Sequence, residues 1–214
     1  VAKMLAESDK KDLGCHTGTI SDAFLELYQA GKLTNAHKEL DTGLSAWNLA
    51  MGSQELYDWL DAEPQLFHPG DLDYIHSVER ISKLSNVISI NGGVQLDLMG
   101  QENAESTGTR QLSGVGGQMD FLEGAYRSKG GKGFICINSS RVTKDGERKS
   151  NILATIPGGS TISAPRTMIQ YVATEYGIAS LSGKTLRERA EAMASIAHPD
   201  FREELMKYAR ENFK

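Results

Sequence analysis

Two strand–turn–helix units in succession near the start of the chain constrain its fold more than any other feature. Asp12-Leu13-Gly14-Cys15-His16-Thr17-Gly18 reads as a short strand running into a turn, with Ser21 or Asp22 placed to cap a helix. Phe24, Leu25, Leu27 and Tyr28 give that helix one apolar face, and Gly31 ends it. The pattern then repeats: strand Ala46–Met51, a turn at Gly52, the cap Ser53, and a helix over Gln54–Asp61 stopped before Pro64. Such repetition predicts an α/β domain, an open and mostly parallel sheet flanked by helices. Further strands are expected at Asn86–Asn91, Phe134–Ile137, Ser150–Ile156, Thr161–Ala164 and Gln170–Thr174, with Thr143–Lys149 as an exposed hairpin tip. Asn91-Gly92-Gly93, followed by alternation through Val94, Leu96 and Leu98, predicts a hairpin. Thr185-x-x-Glu188 and Asp200-x-x-Glu203 are capping signatures for two closing helices separated by Pro199.

The stretch Ser113–Gly133 holds seven glycines around one segment of helical character. Glycine lets backbone approach a ligand closely, and a helix start after such a turn offers N–H groups to an anion. Without a ligand the same residues form a plain surface loop. Neither familiar phosphate motif is present. The dinucleotide pattern G-x-G-x-x-G meets Met119 where its third glycine belongs, and the P-loop pattern meets Tyr126 and Gly133 at two of its required positions.

Composition narrows the partners. The 214 residues carry 39% hydrophobic and 24% charged side chains, enough for a sizeable core. A net charge of −5 with no long basic run argues against nucleic acid. Cys15 and Cys136 are isolated and lie in no metal-ligand spacing, so no metal site is expected and two free thiols in a reducing cytoplasm are. No apolar run approaches membrane-spanning length. The opening residues Val1–Leu5 read as the middle of a helix, which leads us to expect a fragment of a longer protein.

Five longer stretches, in this order, carry a resemblance. They are L-G-C-H-T-G-T-I-S-D (13–22), S-I-N-G-G-V-Q-L-D-L-M-G-Q-E-N-A-E-S (89–106), G-V-G-G-Q-M-D-F-L-E-G-A (114–125), Y-V-A-T-E-Y-G-I-A-S-L-S-G-K (171–184) and R-A-E-A-M-A-S-I-A-H-P-D-F-R-E-E-L (189–205). Together they resemble the C-terminal half of the acetyl-CoA hydrolase/transferase family, which includes 4-hydroxybutyrate and butyrate:acetate CoA-transferases. The resemblance implies a CoA-transferase-like domain of NagB/RpiA type spanning residues 1–214, with the family's N-terminal domain absent from this chain. It implies acyl-CoA and a small carboxylate as partners, coenzyme A as a substrate moiety rather than a tightly bound cofactor, and a homodimer. The implied chemistry is double displacement. A glutamate attacks the thioester to give an acyl anhydride, then becomes a glutamyl-CoA thioester that a second carboxylate resolves.

By the same resemblance, Gly116, Gly117 and Gln118 shape the CoA site and supply backbone donors to an oxyanion. Glu175 matches a second active-site glutamate; it also stands at a strand end, where open α/β sheets place ligands or where a carboxylate makes a structural hydrogen bond. The transferases carry their nucleophile in a His-(Ser or Thr)-Glu-Met-x-Ser-Asp pattern, and here Gly18 occupies the glutamate position. A Tyr-Thr-Asn-Asp-Pro pattern aligns with Tyr74-Ile75-His76, which sets His76 where an assisting asparagine is expected. His76 is then a candidate general base for water, or a loop histidine making ordinary hydrogen bonds. Glu102 stands where relatives commonly carry an apolar residue, and reads either as a carboxylate facing the cleft or as an exposed loop residue. Cys15 is a nucleophile if accessible and inert if buried. His16 and His198 read as structural, His198 as a cation at a helix end.

Overall fold

The computed structural model describes residues Val1–Phe213 as a mixed α/β protein that divides into two compact units, Val1–Val87 with Arg127–Gly130, and Ile88–Tyr126 with Gly131 onward. In the first unit the elements run α1 (Ala2–Ala6), β1 (His16–Ile20), α2 (Asp22–Gln29), β2 (Ser45–Ala50), α3 (Gln54–Ala62), β3 (Phe67–Pro69), α4 (Leu72–Ile75) and α5 (Val78–Lys83). The three strands form a parallel sheet in the order β1-β2-β3. Its register aligns His16 with Ala46 and Ala46 with His68. Both predicted strand–helix units are present, but the first strand runs His16–Ile20, so Gly18 lies inside it rather than in the turn that follows. Ile20, Leu25, Leu27, Leu56, Trp59 and Phe67 pack into one core, in which Trp59 meets Tyr28 at 4.9 Å and Phe67 edge-on at 4.8 Å.

Ser53 caps α3 by accepting from the Leu56 amide, as expected. Ser21 occupies the N-cap position of α2 but makes no side-chain capping bond, and Asp22 turns elsewhere. The Asp22 carboxylate accepts from the Ser53 hydroxyl at 2.6 Å and from the Ser53 amide at 3.1 Å, tying the starts of α2 and α3 together.

The second unit holds β4 (Ile88–Gly92), β5 (Gln95–Asp97), β6 (Glu102–Asn103), the ribbon β7 (Ser106–Thr107) with β8 (Arg110–Gln111), α6 (Gln118–Arg127), β9 (Lys132–Cys136), the ribbon β10 (Ser140–Val142) with β11 (Arg148–Ser150), β12 (Ile152–Leu153), β13 (Tyr171–Thr174), β14 (Gly177–Ser180), α7 (Leu186–Ser195) and α8 (Pro199–Asn212). Its main sheet runs β14-β13-β9-β4, parallel except for the β14 edge. A second sheet runs β12-β5-β6. Leu122, Ile135, Val172, Leu181, Met193 and Leu205 belong to the core beneath them. No helix among the described residues is long and apolar enough to cross a membrane.

Three local expectations are corrected. Asn91-Gly92-Gly93 does not close a hairpin: β4 pairs in parallel with β9, and β5 enters the other sheet beside β12 and β6. Gln95, Leu96 and Asp97 are all buried, so the alternation that suggested one solvent-facing side marked a strand covered on both. The stretch 150–164 holds one short strand, β12, after the end of β11. Thr161–Ala164 contributes a single bridge from Ala164 to Glu102, while the Thr161 and Ser163 hydroxyls bond Ser106 and Glu105 instead of a ladder. Finally, α8 is capped by His198 rather than Asp200, because Pro199 takes the first helical position. His198 Nδ1 accepts from the Asp200 amide at the positive end of the helix, which overturns its reading as a cation suited to a helix C-terminus.

Candidate functional site

In the main sheet, register levels the ends of three parallel strands: Gly92 lies opposite Cys136, and Cys136 opposite Ala173. An open cavity of about 440 Å³ lies there, lined by Gly93, Cys136, Ile137, Asn138, Ala173, Thr174 and Glu175. This is the carboxyl edge at which open α/β sheets bind ligands. Glu175 occupies the two-residue turn between β13 and β14 and is exposed. Its carboxylate accepts from the Ser139 hydroxyl at 2.6 Å and the Ser139 amide at 2.9 Å. Partial burial pushes its pKa up, but these two bonds outweigh burial and hold it below the usual carboxylate range. Such a group is a fixed anion at the cavity mouth and a weak base.

Glu102 is the opposite case. It is fully buried in β6, not exposed on a loop, and its main chain is held by Ala164 and Ser163. Gln118 Nε2, at the first turn of α6, donates to Glu102 Oε2. The other oxygen, Oε1, has no hydrogen-bond partner among the described residues and lies against Gly93, where a Cβ would approach it to 2.6 Å. Burial raises the pKa to about 8 against the opposing pull of Gln118, so the group is largely a neutral acid at pH 7. The Gln118 contact joins Glu102 to the glycine-rich turn, in which Gly116 takes a left-handed φ of 62°. Gly93 joins it to the cavity wall.

Gly18 and His76 lie in the first unit. Gly18 is interior to β1, partly buried, and shares a sheet face with His16. His16 Nε2 donates to the Ile75 carbonyl at the end of α4, at 2.8 Å, and burial holds its pKa below the ordinary histidine value. His76 is the C-cap residue of α4, and its ring is near enough to His16 to disfavour protonation there. Cys15 is buried, with its thiol pushed up to about 12, and is inert. Lys38 Nζ donates to the carbonyls of Cys15 and Leu44, fixing the entry to β1.

One cluster on this unit has no signature in the sequence. His68, in β3, shares its row and face with His16. Its Nδ1 donates to Asp41 Oδ1 at 2.7 Å, and the Tyr74 hydroxyl donates to the same oxygen at 2.8 Å. The members stand 27 and 33 residues apart, and no spacing rule links them. The Asp41 backbone sits at a left-handed φ of 53°. The groups foreseen from sequence thus fall in two units, and Ser139, which holds the Glu175 carboxylate, and Gly93, which lies against Glu102, were not foreseen.

Residues 52–209 match the family described as the acetyl-CoA hydrolase/transferase C-terminal domain. The chain belongs to that family. Among its relatives is the butyryl-CoA:acetate CoA-transferase of Anaerostipes caccae, 45% identical over 98% of this chain and 47% of the relative. Another is the 4-hydroxybutyrate coenzyme A transferase of Clostridium kluyveri, 43% identical over 99% and 48%. The crystal structure of RipA from Yersinia pestis superposes with a TM-score of 0.88 at 38% identity, covering 98% of this chain and 46% of that one. The chain therefore spans about half the length of the curated relatives it matches.

Proposed function

We propose that this chain forms the C-terminal half of an acyl-CoA enzyme. It acts on a short acyl-CoA thioester, either passing CoA to a small carboxylate or releasing it to water. The observation that carries the reading is the cavity at the carboxyl edge of β4, β9 and β13, in a chain of this family. Gly116, Gly117 and Gln118 are assigned to the CoA moiety, and Glu175 supplies fixed charge at the cavity mouth. Glu102, a neutral acid behind Gly93, polarises the site, and His76 assists where relatives carry asparagine. No metal and no tightly bound cofactor enter the scheme. The partner domain upstream, a homodimer and a cytoplasmic setting complete the reading by family resemblance.

Gly18 offers no carboxylate, so the reaction runs without a covalent glutamyl intermediate at that position. Mass spectrometry of the full-length protein after incubation with acetyl-CoA tests this directly. No CoA adduct is expected on the peptide containing Gly18, and Gly18→Glu is expected to acquire one. Failure of any acyl-CoA to yield free CoA or a new thioester rejects enzymatic action. A second reading, a CoA-binding homologue without catalysis, is favoured by Gly18 together with the Ser139-held state of Glu175. Calorimetry with CoA separates the two, because only that reading expects binding without turnover.

A further inference from the structure

We propose that Glu102 is a positioning residue for the glycine-rich turn: its carboxyl, in the acid form, pins the start of α6 through Gln118, and loss of the acid proton releases the turn. This rests on the acyl-CoA reading above, which assigns that turn to CoA, and deepens it by making the turn's hold proton-dependent.

Every part of the arrangement lies in the second unit. The Glu102 main chain is fixed from two sides. Its amide donates to the Ala164 carbonyl at 3.0 Å, its carbonyl accepts from the Ser163 amide at 2.8 Å, and β6 sets it opposite Leu96 of β5. Oε1 lies where a Cβ on Gly93 would point, and Ile135 of the core borders the same spot. Oε2 takes the Gln118 bond, from the first turn of α6. One residue earlier, the Gly117 carbonyl accepts from the Phe121 amide, and residues 113–116 before it are exposed. The titratable groups on the segments around Glu102 are Asp97 on β5, Glu105 after β6, Asp120 and Glu123 on α6, Lys132 and Cys136 on β9, and Arg166 beyond Ala164. Burial comes first in setting the Glu102 proton and the Gln118 bond second.

The proton decides whether this packing is tolerable. A neutral acid is content with one donor and an apolar wall, whereas the same group without its proton is a poorly compensated buried charge. Relief requires water at the carboxylate. Leu96, Ile135 and Ala164 are fully buried, while Gln118 is half-buried behind an exposed loop, so the start of α6 is the side that yields. An open turn lets Glu102 ionise in the ordinary carboxylate range, and a closed one does not until the pH nears 8. Opening therefore grows more favourable as the pH rises from about 4.5 to about 8, by at most about 10-fold per pH unit.

Hydrogen exchange in the full-length protein tests this at the Phe121 amide, with rates corrected for the intrinsic chemical rate. In wild type, exchange there is expected to rise about 10-fold or more from pH 5 to pH 8. Glu102→Gln keeps an acceptor for Gln118 but cannot ionise, so its Phe121 rate is expected to be equal at the two pH values. Gln118→Leu cuts the tie: Phe121 is expected to exchange fast at both, while the pH trend of the global unfolding midpoint persists. That pair of results separates positioning from general destabilisation. A wild-type Phe121 amide indifferent to pH, or a Glu102→Gln amide that responds as wild type does, overturns the proposal. Equal pH trends at Phe121 and at Val172 in wild type also overturn it, because they mean global opening rather than release of the turn. Saturating CoA is expected to restore slow exchange at pH 8. If the pH trend is present and CoA leaves it unchanged, the proton-dependent tie stands and the assignment of CoA to this turn fails.

Discussion

A carboxyl group shut away from water with a single donor in reach keeps its proton far above the usual carboxylate range, and Glu102 is so placed. The linkage has a definite sign. With a folded pKa of about 8 against 4.5, Glu102 favours the folded state fully below pH 4.5, and that stability is lost as the pH rises to about 8. The difference is on the order of a few kcal/mol. Glu102→Gln keeps the shape and an acceptor for Gln118 but cannot ionise. Its urea-unfolding midpoint is expected to exceed that of wild type at pH 8 and to converge on it below pH 4.5, with the excess vanishing if Glu102 is ionised in the fold. Gly93 is coupled to the same group, since a Cβ there meets Glu102 Oε1 at 2.6 Å and Ile135 at 3.3 Å. Gly93→Ala should destabilise by about 1–3 kcal/mol through overpacking, and by less in a Glu102→Ala background. Purely additive midpoints in that double-mutant cycle would show that the two residues do not meet.

At the scale of elements, one buried side chain joins three segments that the sequence leaves separate. Arg189 projects from α7 and donates from Nε to the Met99 carbonyl, from Nη1 to Leu181 and from Nη2 to Arg166, each within 2.8 Å. Among the described residues no carboxylate hydrogen-bonds it, and the guanidinium is held by three backbone carbonyls. The Met99 bond anchors the turn that delivers Glu102 into β6. Arg189→Met leaves three carbonyls without that donor and should cost about 3 kcal/mol or more. Arg189→Lys is expected to recover little of this, because an ammonium cannot reach three divergent acceptors at once. Equal unfolding midpoints for Arg189→Lys and wild type would refute that account. The Thr185–Glu188 capping box of α7 was legible from spacing, because a cap is a local bond between residues three apart. The contacts of Arg189 were not, because its acceptors are main-chain atoms as many as 90 residues away.

For the molecule as a whole, the two units carry buried titrations of opposite sign. In the first, His16 is held neutral by burial, and its stabilising contribution is present above the unfolded histidine pKa of 6.5 and lost as the pH falls below it. In the second, Glu102 makes stability fall as the pH rises. Hydrogen exchange, corrected for the intrinsic chemical rate, is expected to show β1–β3 better protected at pH 8 than at pH 5, and β4, β9 and β13 better protected at pH 5 than at pH 8. A common trend in both units would mean that the chain opens only as one cooperative body.

The layered α/β class, most of the strand and helix positions, the capping box and the family were legible along the chain, because they rest on periodicity, turn residues and ordered motifs. The sequence also marked Gly18, since the absence of a side chain is visible in a string of letters. It took the folded chain to make Glu102 a buried neutral acid, to hold Glu175 as an anion on Ser139, and to bring His68 and Tyr74 onto one oxygen of Asp41. Protonation state and hydrogen-bond partnership depend on which groups exclude water from which, and residues distant in the chain decide that only when the fold packs them together.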